Sequence, residues 1–97
     1  MVVIAKKAIN EFIETNPGSA KPLLEWYLKT KESDWKNYAD IKKVFGATDS
    51  AGNGLYVFNI GGNKYRLIAR IIFGARTVFI RFIGTHKEYD KIKISNL

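Results

Sequence analysis

The chain has 97 residues, 46% of them hydrophobic, which is enough for one folded domain with one modest core. The absence of cysteine excludes disulfides and thiolate metal sites, and no apolar stretch reaches the roughly 18 residues of a membrane span. Sixteen Lys and Arg against nine Asp and Glu give a net charge of +7, which makes nucleic acid a candidate partner. We therefore expect one domain over residues 1–97 in a soluble, cytoplasmic protein.

The first third of the chain predicts a short strand followed by two helices. Val2 to Ile4 is a short apolar run, and Lys6 to Glu14 carries apolar residues at helical spacing. A second helix is expected from about Lys21 to Lys31, with Ser19 as its N-terminal cap. The apolar side of this helix would be formed by Leu23, Trp26, Tyr27 and Leu28.

A third, shorter helix and a loop are predicted in the middle of the chain. Ser33 or Asp34 is a candidate N-terminal cap for this helix, and Gly46 is a candidate stop. The segment from Thr48 to Gly54 consists of small and polar residues, which are typical of a mobile loop.

The second half of the chain predicts three strands. Leu55 to Ile60, Lys64 to Phe73 and Thr77 to Ile83 are rich in β-branched and aromatic residues. Short turns at Gly61 to Asn63 and at Gly74 to Arg76 would join them into an antiparallel meander. Because the helices come first and the strands follow, we predict an α+β fold.

Alternation along the strands predicts that one sheet face is basic. If the apolar residues pack on the helices, then Arg66, Arg70 and Arg81 lie together on the opposite face. The simplest interpretation of such a face is a solvated surface with incidental arginines. The same face, however, ends at Gly84 and the segment that contains the only histidine, His86.

The side chains of this region are sufficient for cleaving RNA without a metal. Such a reaction needs a base for the ribose 2′-OH, cations for the transition state and an acid for the leaving oxygen. Histidine can serve as acid or base near neutral pH, which makes His86 a candidate. Arg66 and Arg81 could hold phosphate oxygens, Tyr89 could stack on a base or donate a proton, and Asp90 could orient the imidazole. A single histidine is nevertheless more often structural than catalytic.

Other site chemistries are poorly supported. One histidine without cysteine does not make a zinc or haem site, so no metal or other cofactor is expected. The glycine-rich stretch before Lys64 has hairpin spacing and lacks the phosphate-loop pattern. No GxSxG sequence is present for a serine nucleophile.

Two long motifs carry a resemblance to a known family. The stretches VFNIGGNKYRL at 57–67 and IRFIGTHKEYDKI at 80–92, with ADIK at 39–42, resemble the HigB-type toxins of bacterial type II toxin–antitoxin systems. This family belongs to the RelE/ParE-like superfamily. The resemblance implies a short N-terminal strand and two to three helices packed on a curved antiparallel sheet.

The resemblance also implies an activity and partners. Related toxins are metal-independent messenger-RNA interferases, many of which cut in the ribosomal A site and so inhibit translation. The expected partners are messenger RNA, the ribosome and a cognate antitoxin of the HigA type that carries a helix-turn-helix. No membrane partner is implied.

The family's functional residues transfer only in part to this sequence. Arg66 takes the phosphate-stabilising position, His86 is the expected acid or base, and Tyr89 is the best match for a C-terminal tyrosine. The strand lysines used by RelE fall at Val57 and Asn59, where no base is available. The candidate catalytic residues are Arg66, His86, Tyr89 and Asp90. The candidate RNA-binding residues are Lys64, Arg70, Arg81, Lys87 and Lys91.

Two other functions remain open at this stage. A ParE-like protein with the same fold would inhibit DNA gyrase without cleaving anything, and it would need neither His86 nor a cluster of arginines. A plain RNA-binding domain would use its basic sheet and stack aromatic residues such as Phe79 on bases.

Overall fold

A computed structural model describes residues 1–97 as five strands and four helices. The strands are β1 (Val2–Ile4), β2 (Thr48–Gly52), β3 (Leu55–Ile60), β4 (Tyr65–Ile72) and β5 (Thr77–Thr85). The helices are α1 (Lys6–Thr15), α2 (Ala20–Glu32), α3 (Tyr38–Val44) and α4 (His86–Lys91), with 3₁₀ turns at Pro17–Ser19 and Ile94–Asn96. The longest helix has 13 residues, and none combines the length and the apolar content that crossing a bilayer requires. The predicted α+β class is confirmed.

The strands form one mixed sheet in the order β1-β5-β4-β3-β2. β1 runs parallel to β5, and the other neighbours are antiparallel, so the predicted meander of β3, β4 and β5 is confirmed. The loop predicted from Thr48 to Gly54 is wrong, because Thr48–Gly52 pairs with β3 as an edge strand. These residues have weak strand preferences, but pairing with a neighbouring strand overrides local preference.

One predicted helix cap is confirmed in position and another is wrong. Ser19 is the N-cap residue of α2 as predicted, but its hydroxyl donates to the backbone carbonyl of Asn16 at 2.6 Å and makes no capping hydrogen bond to α2. Ser33 ends α2, and its hydroxyl donates to the carbonyl of Lys29 at 2.6 Å. Asn37 caps α3, because its side-chain oxygen accepts the amide of Asp40 at 3.0 Å. The sequence before α3 therefore contains several residues that could cap this helix, and the folded structure uses Asn37.

The main core lies between the sheet and helices α1 to α3. It contains 13 buried residues and is centred on Phe58, whose ring lies 5.4 Å from Trp26, 5.6 Å from Phe45 and 6.3 Å from Trp35 between centroids. Leu28, predicted on the apolar side of α2, is 55% exposed, and Thr30 is buried there instead.

Tyr56 lies at the margin of the main core. Its ring is 5.5 Å from that of Tyr38 between centroids. Burial raises the pKa of the Tyr56 hydroxyl, and the neighbouring Tyr38 adds to the increase. The folded protein therefore keeps this phenol neutral beyond the pH at which an exposed tyrosine ionises.

The opposite face of the sheet is partly covered by the C-terminal segment, which we define as residues 86–97. A second cluster of three buried residues, Leu55, Val57 and Ile68, lies beneath it. The residues that pack on this cluster are Phe82, Tyr89, Ile92, Ile94 and Leu97. The prediction of an open face around Arg66 is therefore wrong, and the segment's alternating isoleucines explain why it folds back onto the sheet.

A bulge in β5 changes which side chains lie on each face. Ala69 pairs with Ile80, but the preceding residue of β4, Ile68, pairs with Phe82, so Arg81 is an inserted residue. Beyond the bulge, Phe82 packs with the second cluster and Ile83 with the main core. The simple alternation predicted for β5 fails at this point, because one inserted residue reverses the facing of every later side chain.

Candidate active site

Arg66 lies in the middle of a row of three residues on the face that the C-terminal segment covers. Asn59 pairs with Arg66, and Arg66 pairs with Gly84, so the row crosses β3, β4 and β5. The histidine follows Gly84 by two residues, at the first position of α4. Strand register thus places the start of α4 at the edge of the sheet next to this row.

Arg66 is buried without an ionic partner. The residue is 8% exposed, and it takes part in none of the ion pairs of the chain. Its guanidinium donates one hydrogen bond, from Nη1 to the carbonyl of Tyr65 at 3.1 Å, although it carries five N–H donors. The remaining nitrogens are not fully enclosed. Buried charges are normally paired with an opposite charge, so this unpaired guanidinium is a candidate site for an anion.

Tyr89 forms the cover over Arg66. The guanidinium carbon lies 5.7 Å from the centre of the Tyr89 ring, a distance typical of a cation–π contact. The same ring packs on the buried cluster of Leu55, Val57 and Ile68. Tyr89 therefore connects the apolar cover to the cation and limits the directions from which a phosphate could reach Arg66.

Local interactions fix α4 at the end of β5. Thr85 accepts the amide of Glu88 at 3.2 Å, and the Glu88 carboxylate accepts the amide of Thr85 at 2.8 Å, which forms a capping box. The amide of His86 donates to the carbonyl of Lys64 at 3.0 Å, which ties the helix to the β3–β4 turn. The sequence THKE is therefore sufficient to start a helix directly after the last strand.

The imidazole of His86 is available for proton transfer. Its side chain is 53% exposed and forms no hydrogen bond, and only its backbone amide serves the structure. One turn later, the Asp90 carboxylate lies 3.8 Å from Nε2, with Asp90 itself 59% exposed. The Asp90 carboxylate would attract a protonated imidazole only weakly, because both groups are in contact with water. The structural interpretation of His86 as a buried hydrogen-bonding residue is not supported.

Three of the candidate RNA-binding residues lie around this edge. Lys64 in the β3–β4 turn and Lys87 and Lys91 on α4 are all exposed. Arg70 lies on the same sheet face as Arg66, but it is four residues farther along β4 and its Nη1 donates to the carbonyl of Asn53. The structure therefore places three lysines near His86 and Arg70 farther along the face.

Arg81 is placed differently from the other candidates. The inserted residue of the bulge lines a shallow groove of about 330 Å³ with Ala8, Glu11 and Phe12 of α1. It is exposed at the free edge of β5, beyond the three residues of β5 that pair with β1. The predicted grouping of Arg81 with Arg66 and Arg70 on one face is not observed.

Sequence reasoning did not identify the apolar tail as part of the site. Ile92, Ile94 and Leu97 pack on the second cluster together with Tyr89, whose ring lies over Arg66. Their spacing, with Lys93 between the two isoleucines and Lys91 before them, was the available signal. No group of three or more His, Asp or Glu side chains is arranged to hold a metal ion.

Comparison with known proteins gives a consistent set of relatives. Residues 19–92 match the family described as HigB_toxin, RelE-like toxic component of a toxin-antitoxin system. The protein mRNA interferase HigB of Escherichia coli O6:H1 is 33% identical over 94 residues, which cover 95% of this chain and 91% of that protein. The mRNA interferase toxin HigB of Escherichia coli K12 is 33% identical over 92 residues, 93% of this chain and 88% of that protein. The mRNA interferase HigB of Shigella flexneri gives the same values.

Proposed function

The chain belongs to the HigB toxin family, the RelE-like toxic component of toxin–antitoxin systems, and we propose that Arg66 and α4 form its active site for cleaving messenger RNA. An antitoxin is its partner, as membership of the family implies. The protein is an endoribonuclease of the mRNA interferase type, and its cleavage of messages inhibits translation. We place this activity in the cytoplasm and in one domain that spans residues 1–97.

The observation that carries the proposal is the buried and unpaired charge of Arg66. A guanidinium that is 8% exposed and has no carboxylate partner destabilises the fold unless an anion can reach it. The phosphate between two nucleotides is such an anion, and the planar guanidinium can bind two of its oxygens at once. Charge that develops on the phosphate in the transition state strengthens this contact.

The reaction requires two proton transfers. The ribose 2′-oxygen loses its proton and attacks the adjacent phosphorus, and the 5′-oxygen leaves and gains a proton. The products are a cyclic 2′,3′-phosphate and a 5′-hydroxyl end. His86 transfers the proton at one of these oxygens, since an imidazole can donate when protonated and accept when neutral.

Asp90 and Tyr89 support this chemistry from neighbouring positions on α4. Asp90 lies 3.8 Å from the imidazole Nε2, one turn later on α4, and is placed to orient the ring. Tyr89 holds the guanidinium of Arg66 through its ring and could contact an incoming base from the same position. Both are proposed roles that follow from the contacts in the free protein.

Binding of RNA would depend on cations beyond Arg66. Lys64, Lys87 and Lys91 are exposed beside the site, Arg70 is half-buried on the sheet face of Arg66, and Arg81 extends the basic surface from the free edge of β5. With about four to six phosphate contacts on single-stranded RNA, the log–log salt slope of binding should be roughly −3 to −4. A flat salt dependence combined with inhibition of DNA gyrase would instead assign the protein to the ParE type.

The decisive experiment replaces His86 by glutamine, which keeps much of the size and hydrogen bonding but cannot shuttle a proton. In single-turnover assays with EDTA present, His86→Gln should cleave RNA about 10²–10⁴-fold more slowly than wild type. RNA affinity and melting temperature should be unchanged, because the side chain is exposed and forms no hydrogen bond. Lys93→Gln, another exposed change in the C-terminal segment, serves as the matched control.

Three outcomes would overturn parts of this proposal. Unchanged cleavage by a folded His86→Gln protein removes His86 from the mechanism. RNA binding without any cleavage by the wild type identifies a plain RNA-binding domain. Cleavage that EDTA abolishes contradicts a mechanism carried by these side chains alone.

Two finer points also belong to the proposal. We expect cleavage to depend on the ribosome and the antitoxin to be of the HigA type with a helix-turn-helix. Mapping of messenger-RNA 5′ ends after brief induction, with and without active translation, tests the first point. Cuts that persist outside translated regions, or after translation is blocked, would contradict it.

A further inference from the structure

The C-terminal segment leaves one end of its sheet face bare. Beyond the second cluster, two rows of residues cross β1, β5 and β4 on this face. Ile4 pairs with Phe79, which pairs with Arg70, and in the next row Val2 and Ile72 flank one residue of β5. We define Val2, Ile4, Ile72 and Phe79 as the uncovered patch.

The uncovered patch concentrates the exposed apolar residues of the chain. Val2 is 57% exposed, Ile4 45% and Ile72 43%, and these are three of the six large hydrophobic residues that are exposed. Half-buried Phe79 lies between β1 and β4 in the same patch. A contiguous apolar surface of this kind marks an interaction site, whereas scattered exposed hydrophobics do not.

The charges beside the patch restrict the partner. Arg70 ends one row, and Arg76 precedes Thr77, the residue at the centre of the other row. The only carboxylate paired with these arginines is Asp34, 3.3 Å from Arg76. Two copies of this chain would bring arginines and a net charge of +7 on each molecule together, so a second copy is disfavoured.

An RNA partner fits this surface less well than a protein. Only Phe79 offers a ring for stacking a base, and the aliphatic side chains of Val2, Ile4 and Ile72 cannot bind phosphate or read base edges. Aliphatic groups next to cations instead complement a protein segment that carries both apolar and acidic residues.

We propose that the uncovered patch is the docking surface for an acidic, amphipathic segment of the antitoxin. The proposal rests on the family membership that supplies an antitoxin as the partner. Apolar side chains of that segment cover Val2, Ile4 and Ile72, and one of its carboxylates pairs with Arg70, which has no ionic partner in the free toxin. Because Arg70 is four residues along β4 from Arg66, a segment docked here reaches the C-terminal segment and the edge of the active site.

The test uses the full-length toxin and the antitoxin protein encoded in the same operon. Ile72→Glu should raise the Kd of the complex about 10- to 100-fold, because it places a negative charge against an acidic partner. Ile72→Lys, which removes the same apolar contact but keeps the sign of the surface, should have a smaller effect. Leu28→Glu is the matched control, since Leu28 is also an exposed apolar residue, 55% against 43% for Ile72, and lies on helix α2 on the opposite side of the sheet.

A second measurement needs no substitution. Hydroxyl-radical footprinting of the wild-type protein should show that the antitoxin protects Ile4, Ile72 and Phe79 but leaves Leu28 reactive. Unchanged affinity of Ile72→Glu, or unprotected patch residues in the complex, would overturn the proposal. Loss of RNA cleavage by Ile72→Glu in the absence of antitoxin would assign the patch to RNA instead.

The docking proposal and the proposed function can fail independently of each other. Cleavage is measured without antitoxin and binding is measured without RNA. If the wild type cleaves no RNA but Ile72→Glu still loses the antitoxin, then the docking surface stands and the active-site proposal fails. A wild-type dimer that Ile72→Glu dissociates would identify a second copy as the occupant and overturn the proposal.

Discussion

The two faces of the sheet differ in how many residues they bury, in their composition and in their proposed roles. Thirteen buried apolar residues lie on the side of helices α1 to α3, whereas three lie on the side of the C-terminal segment. The first side is a continuous aromatic and aliphatic core, and the second combines a thin apolar cover with a buried unpaired arginine. The comparison indicates that the helical side provides most of the buried apolar packing, whereas the other side buries an unpaired cation, which we propose binds phosphate.

The largest difference between the faces should appear in stability. Phe58→Ala removes a ring that contacts Trp26 and Phe45 in the main core, and it should lower the free energy of unfolding by about 3–5 kcal/mol. Phe82→Ala, on the other face, removes a half-buried ring and should have roughly half that effect or less. Urea unfolding of both variants measures the difference. Equal losses would contradict the division between a stabilising face and a functional face.

Arg66→Met should separate stability from activity. Methionine fills a similar volume and packs on aromatic rings, and the change removes a buried unpaired charge, so the free energy of unfolding should stay equal or rise. Single-turnover RNA cleavage should fall about 10²–10³-fold through loss of the phosphate contact. Arg66→Lys, which keeps the charge but not the fork of donors, should give an intermediate rate. A less stable Arg66→Met protein with normal cleavage would show that the arginine is structural.

Gly84→Ala should disturb the junction between the sheet and α4. An added Cβ would overlap Phe82 Cζ and lie 2.9 Å from its Cε2 and 3.2 Å from Glu88 Cβ. We expect a loss of about 1–3 kcal/mol in stability, together with slower cleavage because α4 must shift. Gly74→Ala is the control, since nothing lies within 4 Å of its added Cβ. Identical melting temperatures and rates for both variants would show that this junction tolerates movement.

The smallest effect is expected for Asp90→Asn. Its pair with His86 is exposed and 3.8 Å long, so the interaction should contribute at most about 1 kcal/mol. Cleavage should therefore fall by no more than about fivefold, with stability unchanged. Asp49→Asn, an exposed change in β2, is the control for removing a negative charge. A loss of a hundredfold or more would give Asp90 a direct role in the chemistry.

The fold was largely predictable from the sequence where residue patterns are local. The three strands of the meander, the first two helices and the glycine-rich hairpin follow from β-branched runs, helical spacing and residues that accept positive φ. Gly61 and Gly62 adopt φ of 62° and 70°, as the predicted turn requires. The sequence did not predict β2, because its pairing with β3 is a tertiary interaction that the residues of β2 do not themselves indicate.

The candidate site was predictable as a set of residues but not as an arrangement. His86, Tyr89 and Asp90 are close together in the chain, and α4 keeps them on one helical segment. Arg81 departs from the predicted group because a bulge is an irregularity of strand pairing that alternation cannot show. The burial of Arg66 also required the structure, because the tail that covers it comes about 25 residues later in the chain.

By itself, the sequence determined the α+β class, the strands of the meander and the residues from which a site could be built. These depend on side-chain periodicity, turn residues and capping, which act over a few neighbouring positions. Only the tertiary structure decided that Arg66 is covered and unpaired, that Arg81 lies at the free edge, and that an apolar patch remains bare. Each of these features depends on which distant segments pack together, and that packing is determined by contacts throughout the chain.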